Sequence, residues 1–280
     1  MLRAPKWSAR KVDSVYSFLK NRAVAYLPEP VLRPLRAWHY GRVLRSFSDA
    51  EEPDLVVVRK LVQPGSVAVD LGANIGVYTK ALSELVGPSG TVISVEPIPQ
   101  TFALLSRNVR SFGLANVTCV NVAVSDANGE AVMELPDNAT GGTNFYQARV
   151  IDRPDKGSAA GKRRAHVSTA TLDTLAQRVR TVGFVKCDVE GYELACLMGA
   201  GTVLGSHSPA WLMEVSGNPD DRGSNAWKTF QLFEAHAYTP WWFDRQRLMP
   251  RSRGDQSTNY FFLREEHLSN LREKAPDLLR

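Results

Sequence analysis

Short, continuous apolar runs recur along the chain. They are Val67 to Leu71, Thr91 to Glu96, Val117 to Val124, Phe184 to Val189 and Trp211 to Val215. Runs of this kind, apolar at most positions rather than at alternate ones, predict strands buried on both faces. Helical stretches lie between them: Val77 to Val86, Thr101 to Phe112 closed by Gly113, Tyr192 to Met198, and Trp227 to Ala237. The alternation predicts an α/β fold, a parallel sheet with helices on both faces. Trp241-Trp242-Phe243 and Asn259 to Leu263 end the series as an expected hairpin pair.

Three regions depart from this pattern. Residues 125–175 replace a simple crossover. Gly129 to Leu135 and Thr143 to Val150 read as two edge strands of an inserted β-hairpin, followed by a polar loop and an extended run from His166 to Leu172. Residues 1–47 read as basic amphipathic helix, with Val15, Phe18, Leu19, Ala23 and Tyr26 at helical spacing and Pro28, Pro30 and Pro34 cutting it into pieces. Ser48 to Pro53, leading into Leu55 to Val62, read as a capped helix with acids in its first turn.

The 280 residues carry a net charge of +5. Residues 1–47 hold ten Lys and Arg against Asp13 and Glu29, an excess of eight, so the remainder stands at −3. The basic character belongs to an N-terminal appendage and the body is acidic. The expected organisation is a helical extension (1–50), a catalytic domain (51–265) and a tail (266–280). Three cysteines without metal or CxxC spacing suit a reducing, cytoplasmic setting and buried apolar roles. No run is apolar enough to span a bilayer. No secretory signal pattern is read, and residues 1–11, basic and acid-free, leave a transit peptide as the competing reading.

In an open parallel sheet, ligands bind at the carboxyl ends of the strands. The first strand ends in Asp70-Leu71-Gly72-Ala73-Asn74-Ile75-Gly76 and the second in Glu96-Pro97. Glycines permit a tight turn and close backbone approach, and an acid at the second tip suits the two hydroxyls of a ribose. A dinucleotide site needs G-x-G-x-x-G to seat pyrophosphate. Here a carboxylate, Asp70, occupies the first tip and would repel it. A cationic nucleoside fits better, which points to S-adenosylmethionine (SAM). NAD and a ligand-free glycine turn are the competing readings.

These motifs, with Asn121 to Asp126, Thr171-Leu172-Asp173 and Lys186-Cys187-Asp188-Val189-Glu190-Gly191, resemble the FkbM family of SAM-dependent methyltransferases over roughly residues 65–216. The resemblance implies a Rossmann-like seven-stranded, mostly parallel sheet and O-methylation of sugar or polyketide hydroxyls. It implies a cofactor site of Asp70, Gly72, Ala73, Asn74 and Gly76, with Glu96 and Pro97 at the ribose. Ala123, Ser125 and Asp126 follow at the adenine, and Asp188 near the methyl. Thr79 is expected either to donate to the cofactor carboxylate or to bond its own helix backbone.

On the acceptor side, a hydroxyl must lose its proton as the new bond forms, and a carboxylate in reach can take it. Asp188 and Glu190, two apart, would share one side of a strand, with Glu214 at the fifth tip as a third catalytic candidate. Two competing readings are a divalent cation held by the first two, and capping of the helix that starts at Tyr192; no metal site is expected. The expected partner is a small-molecule or glycan acceptor. The basic segment reads as a solvated cap over the cofactor, as a contact for anionic membrane, or, least favoured, as a nucleic-acid footprint. An RNA-modifying methyltransferase and a non-catalytic nucleoside-binding protein remain the alternatives of other classes. The acceptor's identity and the oligomeric state are not legible.

Overall fold

The computed structural model describes residues 29–47, 50–135, 149–151, 163–255 and 257–279. Its centre is a sheet of β1 (Val67–Leu71), β2 (Thr91–Val95), β3 (Val117–Val120), β8 (Val182–Cys187), β9 (Ala210–Glu214), β10 (Thr239–Phe243), β11 (Leu248–Pro250) and β12 (Asn259–Leu263). The spatial order is β11-β10-β12-β9-β8-β1-β2-β3. The strands from β3 to β9 in that order are parallel, and β12, β10 and β11 join antiparallel. The sheet therefore has eight strands where seven were expected. The extra one is β11, which makes the hairpin with β10, while β12 pairs with both β10 and β9.

Successive strand residues point to opposite faces, so each strand feeds two cores. Val69, Val185 and Trp211 pack on one face, beneath α5 (Leu172–Ala176), α6 (Glu193–Met198) and α7 (Asn225–Ala235). Ala68, Phe184 and Leu212 pack on the other, beneath α2 (Leu55–Leu61), α3 (Val77–Val86) and α8 (Glu265–Lys274). The helix α4 (Pro99–Ser111) covers β3, and α1 (Glu29–Ser46) lies against α4. Residues expected as a tail thus supply core, with Leu268, Leu271 and Leu278 all buried. Among the described residues no helix is long and apolar enough to cross a membrane.

Several local expectations change. The run from Val117 to Val124 is two strands: β3 stays in the main sheet, and β4 (Ala123–Val124) leaves it to pair with β7 (Arg163–Ala170). β5 (Gly129–Leu135) pairs with β7 and with β6 (Arg149–Ile151), completing a second sheet in the order β4-β7-β5-β6. The insert is therefore a four-stranded sheet rather than a hairpin, and residues 143–148 lie outside the described ones. Pro30 and Pro34 do not break α1, which runs unbroken through both; Pro30 sits in the first turn, where no backbone N–H is needed. The start of α2 has no side-chain cap and no acid in its first turn. Asp54 instead accepts from Asn259 Nδ2 at 2.7 Å, tying that helix to the top of β12. The predicted helix over residues 1–28 lies outside the described residues.

The Thr171-Leu172-Asp173 motif is a clamp. Thr171 caps α5 by accepting from Thr174 N at 3.0 Å. The Asp173 carboxylate accepts from Thr202 N at 2.9 Å and Val203 N at 3.0 Å, fixing the π-helical turn Val203–His207 above β8. Asp173→Ala is expected to lower unfolding free energy by about 1–3 kcal/mol in urea melts, the cost of orphaning two donors bound to a charged acceptor.

Candidate active site

The carboxyl ends of β1, β2 and β8 open into one cleft. It is lined by Gly72, Asn74, Glu96, Pro97, Ile98, Ala123, Met133, Asp188, Glu190 and Tyr192, among others. Gly72 (φ +73°) and Asn74 (φ 52°) both adopt left-handed backbone, which turns the chain sharply off β1. The turn is pinned by Gly72 N and Ala73 N, which donate to Val95 O at 3.0 and 2.9 Å. Glu96 faces it from β2. Its two oxygens accept from Asn74 N and Ile98 N, both at 3.0 Å. Burial nevertheless pushes its pKa up to about 7. Asn121 donates from beyond β3 to Glu96 O at 2.7 Å and Pro97 O at 3.0 Å, holding this tip in place.

The sequence-predicted residues divide into those that line the cleft and those beneath or beside it. Gly72, Asn74, Glu96, Pro97, Ala123, Asp188 and Glu190 line it; Asp70, Ala73, Gly76, Thr79, Ser125, Asp126 and Glu214 do not. Asp70 is fully buried under the turn, and Thr79 donates to its Oδ2 at 2.6 Å. The Thr79 hydroxyl thus bonds the sheet, at Asp70 and Ser94, rather than its own helix backbone. It supports Asp70. Ser125 and Asp126 follow β4, whose Ala123 and Val124 line the cleft, but they lie just beyond the lining, where Ser125 Oγ donates to Asp126 Oδ1 at 3.0 Å. The apolar wall near them comes instead from Ile98, Val122 and Met133, the last contributed by the inserted sheet. Nothing in the local pattern reveals this wall, because β5 reaches the cleft only through pairing with β7.

The end of β8 gathers charge. Strand geometry ends at Cys187, so Asp188 and Glu190 do not share a strand face as expected; a turn with Glu190 at φ 51° brings both to the cleft. Neither caps α6, whose start has no side-chain cap; Gly191 N is bonded by Glu193 Oε1 at 2.7 Å. Glu190 keeps an open side, yet the cleft walls desolvate it and, with Asp188 beside it, push its pKa up to about 7. Glu214, at the tip of β9, is raised to about 7 by burial and by Asp188.

Sequence reasoning missed Lys186. It is buried on β8, directly across from Asp70 on β1, and its Nζ lies 3.0 Å from Asp188 Oδ2 and 5.2 Å from the centre of the Tyr78 ring. Burial works against its charge, but the carboxylates of Asp188 and Asp70 outweigh that and raise its pKa. The signal was present: a lysine inside an apolar strand is an outlier that a buried charge partner must explain. Glu52 joins from the other side, accepting from Tyr78 Oη at 3.3 Å, with its pKa pushed up by burial to about 7.

These residues fit the expected cofactor. Asn74 Oδ1, on the cleft lining, is a buried acceptor without a partner among the described residues, and Asp70 Oδ1 is likewise unpartnered beneath the turn, where its carboxylate adds to the negative field. A side chain at Gly72 would fill the space between the strand exits. The cleft is acidic, which suits a sulfonium and repels a pyrophosphate. Lys186 already occupies Asp188, which disfavours a cation bridging Asp188 and Glu190. Among the described residues no group of three or more His, Cys, Asp or Glu side chains could hold a metal.

Comparison with known proteins agrees with this geometry. Residues 70–240 match the model of the methyltransferase FkbM domain. Over 126 residues, 40% of the chain, it is 27% identical to a protein-L-isoaspartate O-methyltransferase of Methanothrix thermoacetophila, covering 58% of that protein. Over 115 residues, 39% of the chain, it is 27% identical to one from Thermosipho melanesiensis, covering 52%. The chain thus spans a little over half the length of these curated relatives. A solved FkbM methyltransferase from Methylobacillus flagellatus overlays 83% of this chain and 60% of its own with a TM-score of 0.42 at 13% identity.

Proposed function

The chain belongs to the FkbM methyltransferase family, and from that premise we propose that it moves the methyl group of SAM onto an alcohol hydroxyl of a sugar, glycan or polyketide-type molecule. SAM supplies a methyl already activated on a sulfonium, so the protein's work is to bind, orient and deprotonate. In this reading Glu96 holds the ribose hydroxyls, and Asn74 and the Gly72 turn seat the amino-acid portion. Asp70 and Thr79 sustain the negative field from beneath. Asp188 orients the acceptor hydroxyl, held in place by Lys186, while Glu190, which lines the same cleft, removes its proton and Glu214 adds negative charge from beside it.

The observation that carries the proposal is geometric: Asp188 and Glu190 both line the cleft at the exit of β8, and burial with the Asp188 charge raises Glu190 to about 7. A base poised near the working pH is best suited to take a hydroxyl proton. The turn after β8 also lacks the Pro-Pro-aromatic element associated with amino-group methylation; it reads Asp188-Val189-Glu190-Gly191. Three unpaired cysteines favour a cytoplasmic site of action.

The test is SAM turnover against a panel of neutral glycans, polyketide alcohols, RNA and an isoaspartyl peptide, with the methylated product treated with alkali. A base-stable methyl ether on a glycan or polyketide is expected. A base-labile ester, or methyl found only on RNA bases, would overturn the hydroxyl assignment, and a 2′-O-methyl on RNA alone would overturn the glycan or polyketide acceptor. Cofactor binding carries its own pH dependence. Ionised Glu96 is the stronger acceptor for ribose hydroxyls and attracts the sulfonium. SAM affinity should therefore rise as pH increases from 6 to 8, and Glu96→Gln should weaken it by about tenfold and flatten that rise in calorimetric titrations.

A further inference from the structure

A second cavity, of about 380 Å³, lies on the antiparallel wing of the sheet and shares no lining residue with the cofactor cleft. It sits between α7 and the segments on either side of it, over β10. Its floor is aromatic: Phe230 is buried and Trp227 half-buried. Three guanidiniums, Arg222, Arg251 and Arg253, line it. Two acids line it as well, but each already accepts a hydrogen bond from the protein. Asp220 takes Arg251 and, at 2.7 Å, Gly254 N, and Glu234 takes Gln231 Nε2 at 2.8 Å.

Arg251 is fixed by Asp220 and lies over the Phe230 ring at 5.4 Å, and its Nε is buried with no partner among the described residues. Arg222 and Arg253 are exposed and make no ion pair among the described residues. A fixed guanidinium and two exposed ones above an aromatic floor suit a planar or tetrahedral anion carried on a ring. The guanidiniums bind the oxygens in pairs, and the rings cover the apolar face. The volume is within the range of small-molecule sites.

We propose that this cavity is a binding site for a monosaccharide-sized anion, a sugar acid or a sugar phosphate, separate from the methyl-transfer cleft. The site needs no assumption about the acceptor of the transferred methyl.

Titration calorimetry of the full chain with glucuronate, glucose 6-phosphate and glucose tests it. At least one of the two anions should bind saturably, and glucose about tenfold more weakly or not at all. Tighter glucuronate would mark a carboxylate site, tighter glucose 6-phosphate a phosphate site. The double variant Arg222→Gln/Arg253→Gln, at exposed positions, should weaken the anion by about tenfold while SAM affinity stays unchanged. The proposal is overturned if neither anion saturates, or if the double variant binds as tightly as wild type. Binding that survives in the double variant but is displaced by SAM would place the anion in the cleft and overturn it equally.

Discussion

Gly72→Ala is expected to destabilise the fold by at least about 3 kcal/mol and to abolish measurable SAM binding. Two costs combine. The residue sits at φ +73°, where an L side chain is strained, and its Cβ would stand 1.8 Å from Asp188 O and 2.9 Å from Asp188 C. That neighbour is backbone and cannot rotate away. It is also anchored, because Asp188 N donates to Leu71 O at 3.0 Å. Accommodating a methyl group means pushing the exit of β8 off the exit of β1, and with it the carboxylate that faces the acceptor. Gly113→Ala is the control. Gly113 has a similar φ of +63° but nothing within 4 Å of the added carbon, so it carries the strain without the collision. Urea melts of both variants with calorimetric SAM titrations give the comparison. Equal stability losses, with SAM affinity intact in Gly72→Ala, would mean that the two strand exits are not locked together.

The same contact explains which parts of the site the sequence made legible. β1 and α3 were predicted to the residue, because their signals are local: an apolar run stopped by glycine, then an amphipathic period. The placement of Gly72 and Glu96 at strand tips facing the cleft follows from the same local reading. What could not be read depends on pairing between distant segments. Lys186 acquires its meaning only when β8 lies beside β1 and sets it opposite Asp70. Val117 to Val124 is one apolar run in sequence, and nothing in it marks Asn121 as the point where the chain changes sheets. Asn121 does so because its side chain is spent on Glu96 O and Pro97 O. β4 itself still lines the cleft through Ala123 and Val124, but Ser125 and Asp126 beyond it do not, and Met133 and Ile98 complete the wall. The contacts of Thr79 are hidden for a related reason: the α3 face it occupies packs on the sheet, where its hydroxyl meets Asp70 and Ser94.

The Lys186–Asp188 pair should separate catalysis from folding. Asp188→Asn keeps the shape and hydrogen bonding of the turn but removes the charge that orients and polarises the acceptor. Turnover is expected to fall by about 10²–10⁴-fold, with SAM affinity within about threefold of wild type. Lys186→Met removes the cation instead and leaves Asp70, Asp188, Glu52 and Glu214 to repel one another. Orphaning a buried pair in this way costs about 3–5 kcal/mol where the carboxylates are ionised. The pH dependence has a definite sign. Burial already raises Glu52 and Glu214 to about 7 in the folded protein, above the ordinary carboxylate range of the unfolded chain. Their protonated forms therefore favour folding below the unfolded value, and that contribution is lost as pH climbs through 7. Without Lys186 those carboxylates titrate higher still, so the stability gap between Lys186→Met and wild type should widen from pH 5 to pH 8. Urea melts at both pH values on the two single variants and the double variant yield the coupling energy of the pair. A gap independent of pH would mean that Lys186 acts through packing on Tyr78, and full turnover in Asp188→Asn would remove that carboxylate from the reaction.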